Sequence, residues 1–288
     1  MALIQYDNEY MRLKRVALYK PSRQELAVED FAANMYESEP DPAKVLVEFS
    51  GIVSKLESLG VAVVVLEDRE GETENTSNMV FLRDTAFVFN QTIMLANMKH
   101  QVRMAEPKKL AKLLSKTNDS YAKYIKDMLG ENTMEGADIF ALAPDRLCLY
   151  SGLRTSKGTE SVITRSFPGT KIQAIKANIT RIPQHLLGAL HIVDHDLALR
   201  RRTYCKDSIK GLAFVDFDED TEVTHGFALN VITLGPREIL MPANRPRTQA
   251  RIEAAGVTCH TVEINEIHKM GGGLACMALP LERESQCL

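Results

Sequence analysis

No stretch of this 288-residue chain approaches the ~20 consecutive apolar residues that a membrane-spanning helix requires. The opening residues, Met1-Ala2-Leu3-Ile4-Gln5-Tyr6-Asp7, have neither a basic region nor a long apolar run, so no secretory leader is expected. Cysteine is scarce: five residues, scattered and odd in number. That pattern suits free thiols in a reducing compartment rather than a disulfide frame, and a cytoplasmic location is expected. No Cys-x-x-Cys pair or close histidine pair reads as a zinc site, so no metal site is expected. Lysine and arginine number 35 against 38 acids, a formal net charge of -3, which argues against a nucleic-acid surface.

What is present is ordinary core material. The chain is 45% hydrophobic and 25% charged, enough for one large globular domain. A polar stretch from Glu70 to Asn78 reads as a short loop, not a linker, so residues 1-288 are expected to form a single catalytic domain.

Paired apolar runs separated by turn residues recur along the sequence. Ile139 to Leu142 turns at Pro144-Asp145 and resumes at Leu147 to Tyr150. Leu190 to Val193 turns at Asp194-His195-Asp196 and resumes at Leu197 to Leu199; Phe227 to Leu234 turns at Gly235-Pro236 and resumes at Ile239 to Met241. Val80 to Leu82, Ala86 to Phe89 and Ile93 to Leu95 make a similar set. These are hairpin signals. Amphipathic stretches at Pro42 to Leu59, Lys108 to Leu129 and Arg247 to Ala255 predict helices between them. The spacing of roughly 40 to 55 residues suggests about five repeated units, counting a strand at Val16 to Tyr19 and one at Ala275 to Leu279. An ordinary mixed sheet with helices also accounts for the pattern.

Several residues are candidates for chemistry. Cys276 follows Gly271, Gly272 and Gly273, and glycine lets backbone approach another group closely; a thiol there is placed for presentation to a substrate. Asp84 interrupts an apolar run, which is costly unless the acid pairs with a cation, either a ligand or an arginine. Glu135 and Asp138 flank two small residues at a strand entry and could hold a guanidinium, or Asp138 could cap a turn. His191 lies on an apolar strand, as core histidines often do, and His195 competes with it from a polar turn. Arg103 and Arg154 carry forked guanidinium groups suited to a carboxylate, or are surface charges.

Taken in chain order, Phe81-Leu82-Arg83-Asp84, Glu135-Gly136-Ala137-Asp138, Gly152-Leu153-Arg154-Thr155, His191 and Gly271 to Cys276 resemble the guanidino-group-modifying enzymes, or penteins. That superfamily holds arginine and agmatine deiminases, amidinotransferases and dimethylarginine dimethylaminohydrolases. The resemblance covers nearly the whole chain. Asn230-Val231-Ile232, Ile239 to Ala243, Pro246-Arg247-Thr248 and Gly271 to Met277 are most similar to the bacterial dimethylarginine hydrolases.

The resemblance implies an α/β fold, a five-bladed α/β propeller with pseudo-fivefold symmetry, and no metal or organic cofactor. It implies Cys276 as nucleophile, forming a covalent thiouronium, and His191 as general acid and base. Glu135 would hold the guanidinium and orient the histidine, Asp84 would bind guanidinium nitrogens, and Arg103 and Arg154 would grip an α-carboxylate. Activity is then expected to rise as Cys276 loses its proton and to fall as His191 does. Deiminases carry an aspartate two residues after the histidine; here that residue is Val193, which favours a substituted guanidinium, although Arg83-Asp84 is the deiminase dipeptide. The implied reaction is hydrolysis of a methylated arginine to citrulline and an amine, with hydrolysis of free arginine or amidino transfer as alternatives. The partner implied is a small guanidino substrate, with neither nucleic acid nor membrane, and relatives suggest a homodimer. Lys20 to Glu39 is the expected lid. Cys148, Cys205 and Cys259 read as packing residues and Cys287 as an exposed thiol.

Overall fold

The computed structural model describes residues 4–68, 76–117, 123–125, 129–180 and 183–285. Most of the Glu70 to Asn78 stretch, and Cys287, lie outside these residues. Fifteen strands are described: β1 (Leu13–Tyr19), β2 (Ala62–Leu66), β3 (Ala86–Phe89), β4 (Thr92–Leu95), β5 (Lys123–Ile125), β6 (Ile139–Ala143), β7 (Arg146–Tyr150), β8 (Lys171–Ile175), β9 (Leu190–Asp194), β10 (Leu197–Arg201), β11 (Ala213–Phe217), β12 (Ile232–Gly235), β13 (Glu238–Pro242), β14 (Thr258–Val262) and β15 (Leu279–Arg283). They form five three-stranded sheets: β3-β4-β5, β6-β7-β8, β9-β10-β11, β12-β13-β14 and β15-β1-β2.

Each sheet begins with an antiparallel pair and ends with a strand parallel to the middle one. A parallel neighbour needs a crossover, and four of the five crossovers contain a helix: Pro42–Ser58, Glu106–Ser115, Thr159–Ser166 and Pro246–Ala254. Between β10 and β11 the chain crosses in turns instead. The helix Pro42–Ser58 begins where Asp41 accepts hydrogen bonds from the Ala43 and Lys44 amides, with proline at the first position. It buries Val45, Phe49, Ile52 and Leu56, one stripe of a 3.6-residue period.

Burial runs in one direction across every sheet with described side chains. The first strands, β3, β6, β9, β12 and β15, are buried almost throughout. The third strands β2, β8, β11 and β14 are half-exposed. Four apolar cores join successive sheets, and one of them joins the β12-β13-β14 sheet to β1 and the helix Pro42–Ser58.

Three elements differ from the sequence expectation. The helix expected over Lys108 to Leu129 ends at Ser115, and Lys123–Ile125 is strand β5. The apolar run Val80 to Leu82 is a turn leading into the short helix Leu82–Thr85. Ala275 to Met277 belongs to a helical turn, Leu274–Met277, so the last strand starts at Leu279. In the last two cases apolar composition marked burial correctly, and burial does not distinguish a strand from one buried turn of helix.

Gly136 lies where the first strands of two sheets come together. A Cβ there would meet Ala86 O at 2.0 Å and Arg83 O at 2.5 Å, both backbone atoms. Gly136→Ala is expected to lower unfolding free energy by at least ~1–3 kcal/mol, since an overpacked site must shift main chain. Urea denaturation checks this; an unchanged midpoint would show that the β3 and β6 entries can separate freely.

Candidate active site

Just ahead of each deepest strand the chain makes a turn and presents one polar side chain. Asp84 precedes β3, Glu135 precedes β6, His185 precedes β9, Asn230 precedes β12 and Cys276 precedes β15. Short helical turns deliver four of them: Leu82–Thr85, Gly136–Asp138, Leu186–Gly188 and Leu274–Met277. For Asn230 a turn closed by its own amide on Phe227 O (2.8 Å) does the same. Gly271, at φ 86, ends the turn before Cys276, and this left-handed conformation is one that glycine adopts readily.

Asp84, Arg103, His185, Asn230 and Cys276 line a cavity of about 760 Å³. Its remaining wall is largely apolar, including Phe81, Leu187, Phe227 and Leu229. Asn230 locks the turn that carries Cys276: Oδ1 accepts from the Ala275 amide (2.7 Å) and the Cys276 amide (3.4 Å), and Nδ2 donates to Cys276 Sγ (3.1 Å). His185 Nε2 lies 2.6 Å from Glu135 Oε2, and Nδ1 lies 3.6 Å from Asp84 Oδ1. Asp84 Oδ2 accepts from Arg103 Nη1 at 2.6 Å. Asp84 Oδ1 is buried with no hydrogen-bond partner among the described residues.

The protonation states follow from these contacts. Burial pushes the Cys276 thiol up and Asp84 adds to it; Gly273, Asn230 and Arg103 offset part of this, leaving it at about 11. These surroundings alone therefore keep Cys276 protonated at neutral pH. Burial alone would lower His185, but the carboxylates of Asp84, Glu135 and Asp138 outweigh that and hold it up to about 9. Burial would likewise raise Glu135; the His185 hydrogen bond and charge, then Arg154 and Arg103, hold it well below its usual range.

His191, the histidine expected in the site, lies elsewhere. It sits within β9, not ahead of it, and lines a second cavity with Glu9, Arg83 and Arg283 on the far side of Ala275 and Ala278. Burial and Arg83 push it down to about 3, so it is a neutral core imidazole. His185 takes the place expected for it, and the residue two positions on is Leu187, which lines the main cavity. Val193 is buried in the core shared by β9, β10, β12 and β13.

Asp138 also stays outside the main cavity. It accepts from the Leu186 amide (2.9 Å) and Thr155 Oγ1 (2.8 Å), and so fixes the turn that carries His185; burial raises it to about 6. Glu135 is fully buried and occupied by His185 and the Lys99 amide, an orienting partner behind the histidine. Arg154 lies 3.7 Å from Glu135 and bonds to Gln184, with Met35 Sδ at 3.4 Å; it does not line the cavity. Arg103 does line it, but is shared between Asp84 and Glu106. Arg83 pairs with Glu9 instead, on the side opposite Asp84.

Sequence reasoning missed His185 and gave Asn230 no role. The available signal was positional: each site residue stands before the first apolar strand of a repeat, and His191 stands inside one. Asp84, Glu135 and His185 offer ligand atoms within 4.8 Å of one another, a spacing that could hold a metal ion or a planar organic cation. Asp84 Oδ1, which accepts no hydrogen bond among the described residues, suits an N–H donor. No described helix is long and apolar enough to cross a membrane.

The family model described as N,N dimethylarginine dimethylhydrolase, eukaryotic, matches residues 21–187, and the arginine deiminase model matches residues 208–283. A protein of Aeropyrum pernix with no assigned function is 26% identical over 249 residues, covering 81% of this chain and 83% of its own. The N(G),N(G)-dimethylarginine dimethylaminohydrolase of Pseudomonas aeruginosa is 21% identical over 270 residues, 92% of this chain and 98% of its own. Among solved structures, SxtG, an amidinotransferase of the saxitoxin pathway from Microseira wollei, superposes with a TM-score of 0.78 at 15% identity, covering 98% of both chains. That likeness establishes a shared mixed α/β fold of several small sheets.

A charged His185 stabilises the fold only while it keeps its proton. Its raised value means the contribution is complete below the usual histidine range, near ~6.5, and is lost as pH rises through about 9. The stability difference between the native protein and His185→Asn should therefore be largest near pH 6 and shrink toward pH 9. Urea unfolding across that range checks it; a constant difference would mean that His185 is not held charged.

Proposed function

This chain belongs to the guanidino-group-modifying superfamily, close to its dimethylarginine dimethylhydrolases, and on that basis we propose that it breaks a C–N bond of a substituted guanidinium through a covalent adduct on Cys276. The reading rests above all on Asp84 Oδ1, a buried carboxylate oxygen that accepts no hydrogen bond among the described residues, with His185 Nδ1 3.6 Å away, in the cavity that also holds Cys276 and His185. A guanidinium N–H supplies the bond it lacks, and the ion pair adds charge assistance.

The same contact activates the sulfur. Asp84 raises the Cys276 thiol; a cation laid against that carboxylate cancels the effect and adds a positive charge beside Sγ, which favours the thiolate. The thiolate attacks the guanidinium carbon, forming a C–S bond. His185, charged at neutral pH, gives its proton to the departing nitrogen as the C–N bond breaks. Water then attacks the thiouronium, His185 takes its proton, and the C–S bond breaks to release a urea and restore the sulfur. Asn230, donating to Sγ and holding the nucleophile's backbone, positions it throughout. Glu135 keeps the histidine turned toward the cavity and charged.

Leu187 bears on the substrate. An aspartate two residues after the histidine grips an unsubstituted guanidinium nitrogen in deiminases; Leu187 presents apolar surface instead. This favours a methylated nitrogen, and dimethylarginine, giving citrulline and dimethylamine, is the leading candidate. The reading also makes the five sheets the blades of a propeller with pseudo-fivefold symmetry and the chain a single catalytic domain.

Dimethylarginine, monomethylarginine, arginine and agmatine assayed in parallel for a ureido product test the proposal, beside Cys276→Ser. The serine variant should lose at least ~1,000-fold in turnover, and mass spectrometry of an acid-quenched reaction should find the adduct on Cys276 alone. Turnover by the serine variant would remove the thiol mechanism; no ureido product from any substrate would remove the hydrolase. Leu187→Asp should shift preference toward unmethylated arginine by about tenfold, since the added acid rewards an N–H and penalises an N-methyl group. An unreactive guanidinium ligand should raise the thiolate's ultraviolet absorbance at pH 8, and no rise would contradict activation by the substrate's charge.

A further inference from the structure

One charged group of this region never reaches the cavity. Glu106 opens the helix Glu106–Ser115 and is completely buried. Its Oε2 accepts from Arg103 Nε at 2.9 Å and lies 2.8 Å from Nη2, while Oε1 has no hydrogen-bond partner among the described residues. We propose that Glu106 sets how strongly Arg103 can hold a substrate carboxylate, and thereby discriminates between guanidino compounds that carry one and those that do not. This rests on the guanidino reading of the site above.

The argument begins with the donors of Arg103. A guanidinium has five N–H groups. Here Nε serves Glu106, Nη1 serves Asp84 at 2.6 Å, and Nη2 serves the carbonyls of Asn78 (3.3 Å) and Phe81 (3.2 Å). One Nη1 hydrogen is unassigned. Arg103 is therefore able to offer a donor toward the cavity it lines, but its positive charge is already opposed by two carboxylates. The other arginine in that lining, Arg201, is bound in a two-nitrogen contact with Glu219.

The two acids on Arg103 do not have the same task. Asp84 keeps one oxygen in the cavity for the guanidinium end of a substrate, whereas the hydrogen bond and ion pair of Glu106 go to Arg103. Cancelling the charge of Glu106 leaves Arg103 and Asp84 as a neutral pair, to which a substrate carboxylate is attracted more strongly. With Glu106 ionised, an incoming carboxylate is the third negative group around one cation.

The group is able to change charge near neutrality. Burial raises it to about 7 against the lowering effect of Arg103, and Asp84 and Glu135 add to the rise. The charge of Glu106 also reaches the Tyr36 hydroxyl, which burial holds neutral. Acidification therefore strengthens the grip on a carboxylate by protonating Glu106.

Arginine and agmatine, which differ by the carboxylate, are the probes. Calorimetric titration of the Cys276→Ser protein gives the ratio of their affinities, in which the shared guanidinium contribution and any titration of His185 cancel. The arginine-to-agmatine ratio is expected to rise at least about fivefold between pH 8 and pH 6. Glu106→Gln should hold the ratio about tenfold higher at pH 8 and make it insensitive to pH, as the loss of one charge a few ångströms from Arg103 predicts. Glu106→Asp should restore the dependence. A ratio flat with pH and unmoved by Glu106→Gln overturns the proposal, as does equal weakening of both ligands, which would make Glu106 only a prop for Arg103. If dimethylarginine, arginine and agmatine all fail to bind the Cys276→Ser protein, the guanidino reading falls and takes this proposal with it; where only methylated compounds bind, dimethylarginine and its decarboxylated analogue replace arginine and agmatine as the pair. Should Glu106→Gln not fold, the pH series on the otherwise native chain decides alone.

Discussion

The innermost strands of this protein are covered on both faces, and the site follows from that constraint. A polar side chain inside such a strand must be neutral, as His191 is, or paired on the spot, because burying an unpaired charge is too costly. Reactive groups are therefore pushed to the strand entrances, where a turn interrupts the ladder and a side chain can face a shared cavity. Five entrances yield an acid, a second acid, a histidine, an amide and a thiol. The arrangement needs no long loops to bring distant residues together, because the sheets already converge there.

Much of the fold was legible before any coordinates. The loose repeat of paired apolar runs corresponds to the antiparallel pairs of the sheets, and two of three expected helices fall where periodicity put them. The helix Lys108 to Leu129 was overextended because amphipathic spacing continues past Ser115 into residues that pair with β4. At the site, Cys276, Asp84 and Glu135 stood out as chemistry-bearing residues in apolar surroundings. His185 did not: the family resemblance assigned the role to His191, six residues on, although its apolar strand setting is that of a core histidine and renders an imidazole inert. Asp138 read as a ligand acid because its hydrogen bond to the Leu186 amide joins segments far apart in sequence. Arg103 and Arg154 could be recognised as cations near the site, but no sequence pattern reveals that each is already engaged by a buried carboxylate.

Under the proposed function, the charges around Cys276 are set against the reaction until a cation arrives. Asp84 helps keep the thiol protonated, and the same carboxylate is the natural seat of the guanidinium. Occupation thus removes a brake and adds a driving charge in one step. His185 needs no such trigger, since its two carboxylate neighbours hold it in the acid form required for the first half of the reaction. Selectivity for a guanidinium and activation of the sulfur are thereby one electrostatic event rather than two.

The sheet that carries the thiol is also the one built from both ends of the sequence, with β15 lying against β1. During synthesis the acids, the histidine and the amide all emerge before the sulfur, and the strand that seats Cys276 has its partner waiting from the start. Under the proposed function, reactivity then arrives together with closure: a protein unable to pair β15 with β1 does not seat its sulfur and is chemically silent rather than indiscriminate.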